Sequence, residues 1–269
     1  MSEHREAVGG LPLFWREHPA RTDVPVLYVH GVPTDADDFE PFLARTGGLA
    51  LDLPGFGRSG KPAEFRYSIE GYADFLGAFL DHLGVERYSL VVHDWGGAAL
   101  ALAQREPERV ERLVIIDAVP LLAGYVPHRL ARLWARRGVG ELLMGLTTRR
   151  SARLLSRGAM AAGRPLDPAL AERAWRHFDH GTQRAILKLY RSTDSDGLAH
   201  AGARLGDLTC PALVVWGAED PYVPASFAHS YADALGGEAR VDVLERASHW
   251  PWIDRPEAVD LMGDFLLAS

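Results

Sequence analysis

A carboxylate at the apex of a tight turn is the residue in this chain best placed to do chemistry. Asp94 stands inside Tyr88-Ser-Leu-Val-Val-His-Asp-Trp-Gly-Gly97, after the β-type run Leu90 to Val92 and before an alanine- and leucine-rich stretch, Gly96 to Arg105. That pattern predicts a strand, a sharp turn and a helix. A carboxylate displayed there can displace a leaving group from a saturated carbon and form an alkyl ester on the protein, whereas a serine would attack acyl carbons. Asp94 therefore argues for opening an epoxide or expelling a halide, and against an ordinary esterase. An Asx turn would also use an aspartate, but such a turn does not call for Trp-Gly-Gly and a helix after it.

Two further segments supply partners. Asp220 lies in Gly217-Ala-Glu-Asp-Pro221, after the apolar run Ala212 to Trp216, and His249 lies in Ala247-Ser-His-Trp-Pro-Trp252, after a strand near Arg240 to Leu244. In the order Asp94, Asp220, His249 they read as nucleophile, orienting acid and base. Asp220 precedes a proline and also fits a turn-forming role. Asp117, at the end of Leu113 to Ile116, competes with it for the acid. His30-Gly-Val-Pro-Thr34 follows the run Val26 to Val29, where the Val32 N–H can join that of Trp95 as an oxyanion hole. Trp95 reads both as a packing aromatic and as a substrate-binding indole beside the nucleophile. His93 reads as structural, pointing away across the turn. Pro54-Gly-Phe-Gly-Arg-Ser-Gly60 lacks the Lys-Ser/Thr helix of a phosphate loop and reads as a tight surface turn.

These residues need a scaffold that brings several strand ends together. Leu11 to Arg16, Val26 to Val29, Leu49 to Leu53, the Asp94 strand, Leu113 to Ile116, Ala212 to Trp216 and Arg240 to Leu244 read as strands. From Ile69, Tyr72, Phe75, Leu76, Phe79, Leu80 and Leu83 share one helical face, with Ser68 as N-cap and Gly84 as the stop. Helices are also expected near Ala225 to Leu235 and from Pro256 to Leu267. Alternating strands and helices predict an α/β fold, a mostly parallel sheet with helices on both faces. From about Pro120 to Leu208 strand-like runs give way to helical spacing. The expected organisation is a core domain of residues 1–119 and 209–269 with a helical cap, 120–208, inserted in it.

The apolar share of 47% suits a soluble globular protein, and a net charge of −7 gives no support to nucleic-acid binding. The arginines between Arg129 and Arg157 read as a solvated helical face. The lone Cys210 cannot form an internal disulfide and reads as a buried structural thiol. No apolar run is long enough to span a membrane and the polar N-terminus lacks a signal-peptide core, so a cytoplasmic protein with no membrane partner is expected. There is no His/Cys cluster and no dinucleotide fingerprint, hence no metal or organic cofactor is implied. A small-molecule substrate is the expected partner, and the sequence does not speak to oligomeric state.

Together, His30-Gly-Val-Pro-Thr, Asp52-Leu-Pro-Gly-Phe-Gly-Arg-Ser, Val92-His-Asp-Trp-Gly-Gly, Gly217-Ala-Glu-Asp-Pro and Ser248-His-Trp-Pro resemble the α/β-hydrolases that include soluble epoxide hydrolases and haloalkane dehalogenases. The Asp94 turn is similar to their nucleophile elbow, and the chain order of the three residues matches their triad. Leu189-Tyr190-Arg191 is similar to the epoxide-hydrolase cap segment whose tyrosine protonates the epoxide oxygen, and Tyr125 is the other cap tyrosine, a candidate for binding substrate. Each could instead be a helix or packing anchor. Many dehalogenases carry an asparagine where this chain has Val32. The resemblance therefore implies an epoxide hydrolase with Asp94, His249, Asp220 and Tyr190 as its catalytic residues. The alternatives are a haloalkane dehalogenase with Trp95 as halide donor and a non-catalytic ligand-binding protein on the same fold.

Overall fold

A computed structural model describes residues 1–268. The chain begins with β1 (Ser2–Val8), β2 (Leu11–His18) and β3 (Val26–Val29), then α1 (Glu40–Thr46), β4 (Gly48–Leu51), α2 (Ile69–His82), β5 (Tyr88–His93), α3 (Ala99–Ala103) and β6 (Val110–Ile116). It leaves the sheet through α4 (Arg129–Ala135), α5 (Val139–Leu146), α6 (Arg149–Leu155), a ribbon of β7 (Arg157–Met160) and β8 (Arg164–Pro165), α7 (Pro168–Arg176), α8 (His180–Arg191) and α9 (Ser195–Ala201). It returns as β9 (Ala212–Gly217), α10 (Ser226–Ala234), β10 (Ala239–Leu244), α11 (Pro251–Asp254) and α12 (Glu257–Leu267).

Eight strands make one sheet in the order β1-β2-β4-β3-β5-β6-β9-β10. The pairs β1–β2 and β2–β4 are antiparallel and the rest are parallel. The short apolar runs are central strands buried on both faces, and their side chains alternate between two cores. Leu27, Val29, Leu90, Val92, Leu113 and Ile115 face the core that holds Phe79 of α2 and Leu102 of α3. Tyr28, Val91, Val114 and Ile116 face the other, with Phe42 of α1 and Met262 of α12. Helix α2 starts where Ser68 accepts a hydrogen bond from Gly71 N–H at 3.1 Å. It stops at Gly84 (φ 65°), where Val85 N–H bonds Leu80 O at 2.9 Å.

Three local features differ from the sequence expectations. β1 is a strand although its sequence shows no apolar alternation, because it is an edge with nearly all its side chains in solvent. The β7–β8 ribbon interrupts an otherwise helical segment. The glycine-dense loop after β4 is tight but not superficial. Asp52 is fully buried and its Oδ2 accepts from Arg58 N–H (2.7 Å) and Nε–H (2.8 Å), while Ser59 donates to Asp52 O at 2.6 Å. The paired charge stabilises the loop inside, where an unpaired carboxylate would cost several kcal/mol, on the order of 3–5. Cys210 is half-buried, and burial pushes its thiol up to about 11. Among the described residues no helix is long and apolar enough to cross a membrane.

Candidate active site

The parallel strands β3, β5, β6, β9 and β10 are neighbours, so the segments that follow them meet at one sheet edge. Asp94 leaves β5 with φ 51°, in the left-handed region that aspartate tolerates better than most residues. Such a conformation costs on the order of 1–3 kcal/mol and persists where packing enforces it. Here the enforcement is close: a β-carbon on Gly96 would stand 2.0 Å from Val29 O, so the turn lies hard against the end of β3.

Val32 N–H donates to Asp94 Oδ1 at 2.8 Å, and His249 Nε2 lies 3.5 Å from Asp94 Oδ2. On the other side of the imidazole, Nδ1 is 2.8 Å from Asp220 Oδ2. Asp220 Oδ1 accepts the N–H groups of Tyr222 (2.7 Å) and Val223 (3.1 Å). One carboxylate oxygen forms the turn and the other meets the histidine, so both readings of Asp220 are realised in one side chain. The Trp95 N–H makes no hydrogen bond to the Asp94 carboxylate.

Asp117 is fully buried beside this pair, with φ 40°. Its Oδ1 accepts Gly217 N–H at 2.9 Å, and its Oδ2 has no partner. Burial and then the adjacent Asp220 raise its carboxyl well above the usual range, since low dielectric and a neighbouring like charge both disfavour its ionised form. Asp117, Asp220 and His249 offer ligand atoms within 4.8 Å of one another. Those of Asp220 and His249 are already engaged in hydrogen bonds.

Burial pushes Asp94 upward, but the contacts from His249 and Val32 prevail and hold its carboxyl below the ordinary value. Burial opposes charge on His249 as well, yet Asp220 and Asp94 on either side raise it well above the usual imidazole range. His93 behaves oppositely: burial and the neighbouring His249 drive it down to about 3, so it is neutral. Its Nε2 donates to His249 O at 2.8 Å, which ties the histidine loop to the nucleophile turn.

A cavity of about 490 Å³ opens above Asp94, lined from the core by Val32, Asp94, His249 and Trp250 and from the inserted segment by Tyr125 and Tyr190. Burial and the nearby Asp94 raise both of these tyrosines, so both hydroxyls keep their protons. Trp95 is 6% exposed and packs in the core with α2 and α3, as its packing reading expects. Tyr190 packs edge-on against it, ring centroids 5.1 Å apart. The indole N–H groups of Trp95 and Trp250 are buried without partners.

Tyr222, Trp250, His128 and Trp134 also line the cavity and were not singled out from the sequence. Tyr222 stands edge-on to the His249 ring at 5.0 Å, and burial pushes its hydroxyl up to about 12. Adjacency to Asp220 and His249 was a usable signal for Tyr222 and Trp250. His128 and Trp134 offered none.

A mostly parallel sheet carrying an acidic residue on a strained strand-to-helix turn defines an α/β-hydrolase. The family model described as alpha/beta hydrolase fold matches residues 24–256, and the chain belongs to that family. It is similar to the haloalkane dehalogenase DbeA of Bradyrhizobium elkani, with 27% identity, a TM-score of 0.83 and coverage of 99% of this chain and 97% of that one. It is 29% identical to 2-hydroxymuconate semialdehyde hydrolase of a Pseudomonas species, over 93% of this chain and 89% of the relative. A segment of 99 residues, 35% of each protein, is 36% identical to haloalkane dehalogenase 2 of Mycobacterium bovis.

Proposed function

We propose that the protein is an epoxide hydrolase acting through an alkyl ester on Asp94, with residues 120–208 as the cap over the site. The observation that carries this reading is the presence of two phenols, Tyr125 and Tyr190, in the lining of the same cavity as the Asp94 carboxylate. An epoxide needs acid help at its oxygen, because an alkoxide is a poor leaving group. A halide needs no proton.

Asp94 Oδ2 attacks an epoxide carbon, the carbon–oxygen bond breaks, and the departing oxygen takes the proton of Tyr190, with Tyr125 as a second donor. Oδ1, already on Val32 N–H, becomes the ester carbonyl oxygen. Esterification removes one of the two neighbouring negative charges that raise the His249 imidazole, which favours its neutral form. The imidazole can then act as base, oriented by Asp220, and take a proton from water as that water adds to the ester carbon. The Val32 N–H, with that of Trp95 as a second donor, stabilises the oxyanion. Collapse frees the diol, the protons return to Tyr190 and the diol oxygen, and Asp94 is ionised again.

A haloalkane dehalogenase is the second reading. It is favoured by the unpartnered indole N–H groups of Trp95 and Trp250 and by the similarity to dehalogenases. A ligand-binding protein without turnover would not need an ordered Asp94–His249–Asp220 chain. Incubation with a panel of small epoxides and one of haloalkanes, scoring diol and free halide, tests the assignment. Diol from epoxides is expected, and halide release with no diol would replace this reading by the second.

A further inference from the structure

Among the described residues, exposed large apolar side chains are concentrated in one segment of the chain. They are Met1 and six between Val126 and Leu154: Val126, Leu133, Val139, Leu142, Leu146 and Leu154. On α5, Val139, Leu142 and Leu146 recur at helical spacing and form one stripe, with Leu142 62% and Leu146 65% exposed. Their chain segment is also the most lopsided in charge. From Leu121 to Met160 eight arginines accompany a single acid, Glu141, a net +7 in a chain that totals −7. Glu141 is itself held by Arg191 at 2.6 and 2.8 Å. Among the described residues Arg129, Arg132, Arg136, Arg137, Arg150 and Arg153 are exposed and form no salt bridge. A solvated face accounts for the arginines but not for the leucines set among them.

The cavity opens on this face. Of the side chains that line it, the exposed ones are Leu146, Arg149 and Arg153. A second copy of the chain is a poor occupant, because pairing two such faces would bring like charges together. A nucleic acid would engage the arginines but leave the leucines unburied. An anionic bilayer satisfies both, with leucines at the acyl boundary and guanidinium groups among the lipid headgroups. We propose that the α5–α6 face docks on an anionic lipid surface, with the mouth of the cavity turned toward the bilayer. The expectation of no membrane partner rested on the lack of a spanning segment, and docking requires none. An apolar substrate dissolved in the bilayer would then reach the cavity without crossing water. The inference holds for either reaction the cavity performs.

Flotation with vesicles of phosphatidylcholine, alone or mixed with phosphatidylglycerol, tests it. The wild type should float with the mixed vesicles at low salt, stay behind with phosphatidylcholine alone, and be released as salt is raised. The pairs Leu142→Ser with Leu154→Ser and Arg137→Glu with Arg150→Glu lie outside the cavity and should retain turnover of a water-soluble substrate. Each pair should lower vesicle binding by about tenfold or more. Wild-type protein that does not float with the anionic vesicles overturns the proposal, as do variants that float equally well. A concentration-dependent dimer abolished by the same substitutions would overturn it in favour of self-association.

Discussion

The Asp94 carboxylate occupies the space beside Gly31 that a side chain would need: a β-carbon on Gly31 would stand 2.3 Å from Asp94 Cβ and 2.4 Å from its Oδ1. The same loop delivers the Val32 N–H to that oxygen. Nucleophile and oxyanion donor are therefore set by one close approach of two loops.

Gly31→Ala should displace the Asp94 side chain without unfolding the sheet. The expected result is ester formation slowed by about a hundredfold, with an unchanged far-ultraviolet circular dichroism spectrum. Alkylation at the wild-type rate would show that the Val32–Asp94 contact does not position the nucleophile.

Asp220 and Asp117 should separate sharply. Asp220→Asn removes the charge that orients and stabilises the imidazolium, so ester hydrolysis should fall by roughly three to four orders of magnitude. Asp117→Asn leaves the contact between Asp220 and His249 in place and should cost less than about tenfold. Single-turnover rates for both variants check this, and the reverse ranking would move the acid's role to Asp117.

Spacing along the chain did not rank those two carboxylates, and only the Gly-Ala-Glu-Asp-Pro turn favoured Asp220. Each ends a strand, and only their packing shows that Asp220 reaches His249 Nδ1 while Asp117 is held by Gly217 N–H. The central strands were legible because burial on both faces leaves short, wholly apolar runs. β1 was not, since a solvated edge strand has no apolar period to read. The Asp94 turn, the His249 loop and Val32 could be located because each directly follows a strand. The rest of the cavity wall could not: His128 and Trp134 join Tyr125 and Tyr190, to which only the resemblance pointed, through the packing of the inserted helices.

Tyr190→Phe should slow alkylation by epoxides by roughly two to four orders of magnitude if it is the main donor, and Tyr125→Phe should reveal the share of the second hydroxyl. Rapid-quench measurement of the ester separates this step from hydrolysis. Unaltered epoxide kinetics in the double variant would remove both tyrosines from the chemistry.

The two half-reactions should respond differently to pH. Alkylation needs ionised Asp94, whose carboxyl lies below its ordinary value of 3.8, so its rate should stay level as pH falls from neutrality toward that range. Hydrolysis needs neutral His249. While the imidazole of the ester intermediate is protonated, hydrolysis should rise about tenfold per pH unit and then level off. Single-turnover rates across pH check both slopes. A hydrolytic step that slows with rising pH would contradict the role given to His249.

The covalent ester itself is most directly tested in His249→Gln, which keeps Asp94 but lacks the base. Intact-protein mass spectrometry after addition of an epoxide that the wild type converts should show one stable adduct with the whole mass of the epoxide. Peptide mapping should place it on Asp94, whereas a haloalkane would add its alkyl group and release halide. An adduct on another residue, or none under conditions where the wild type turns over, would contradict catalysis through Asp94.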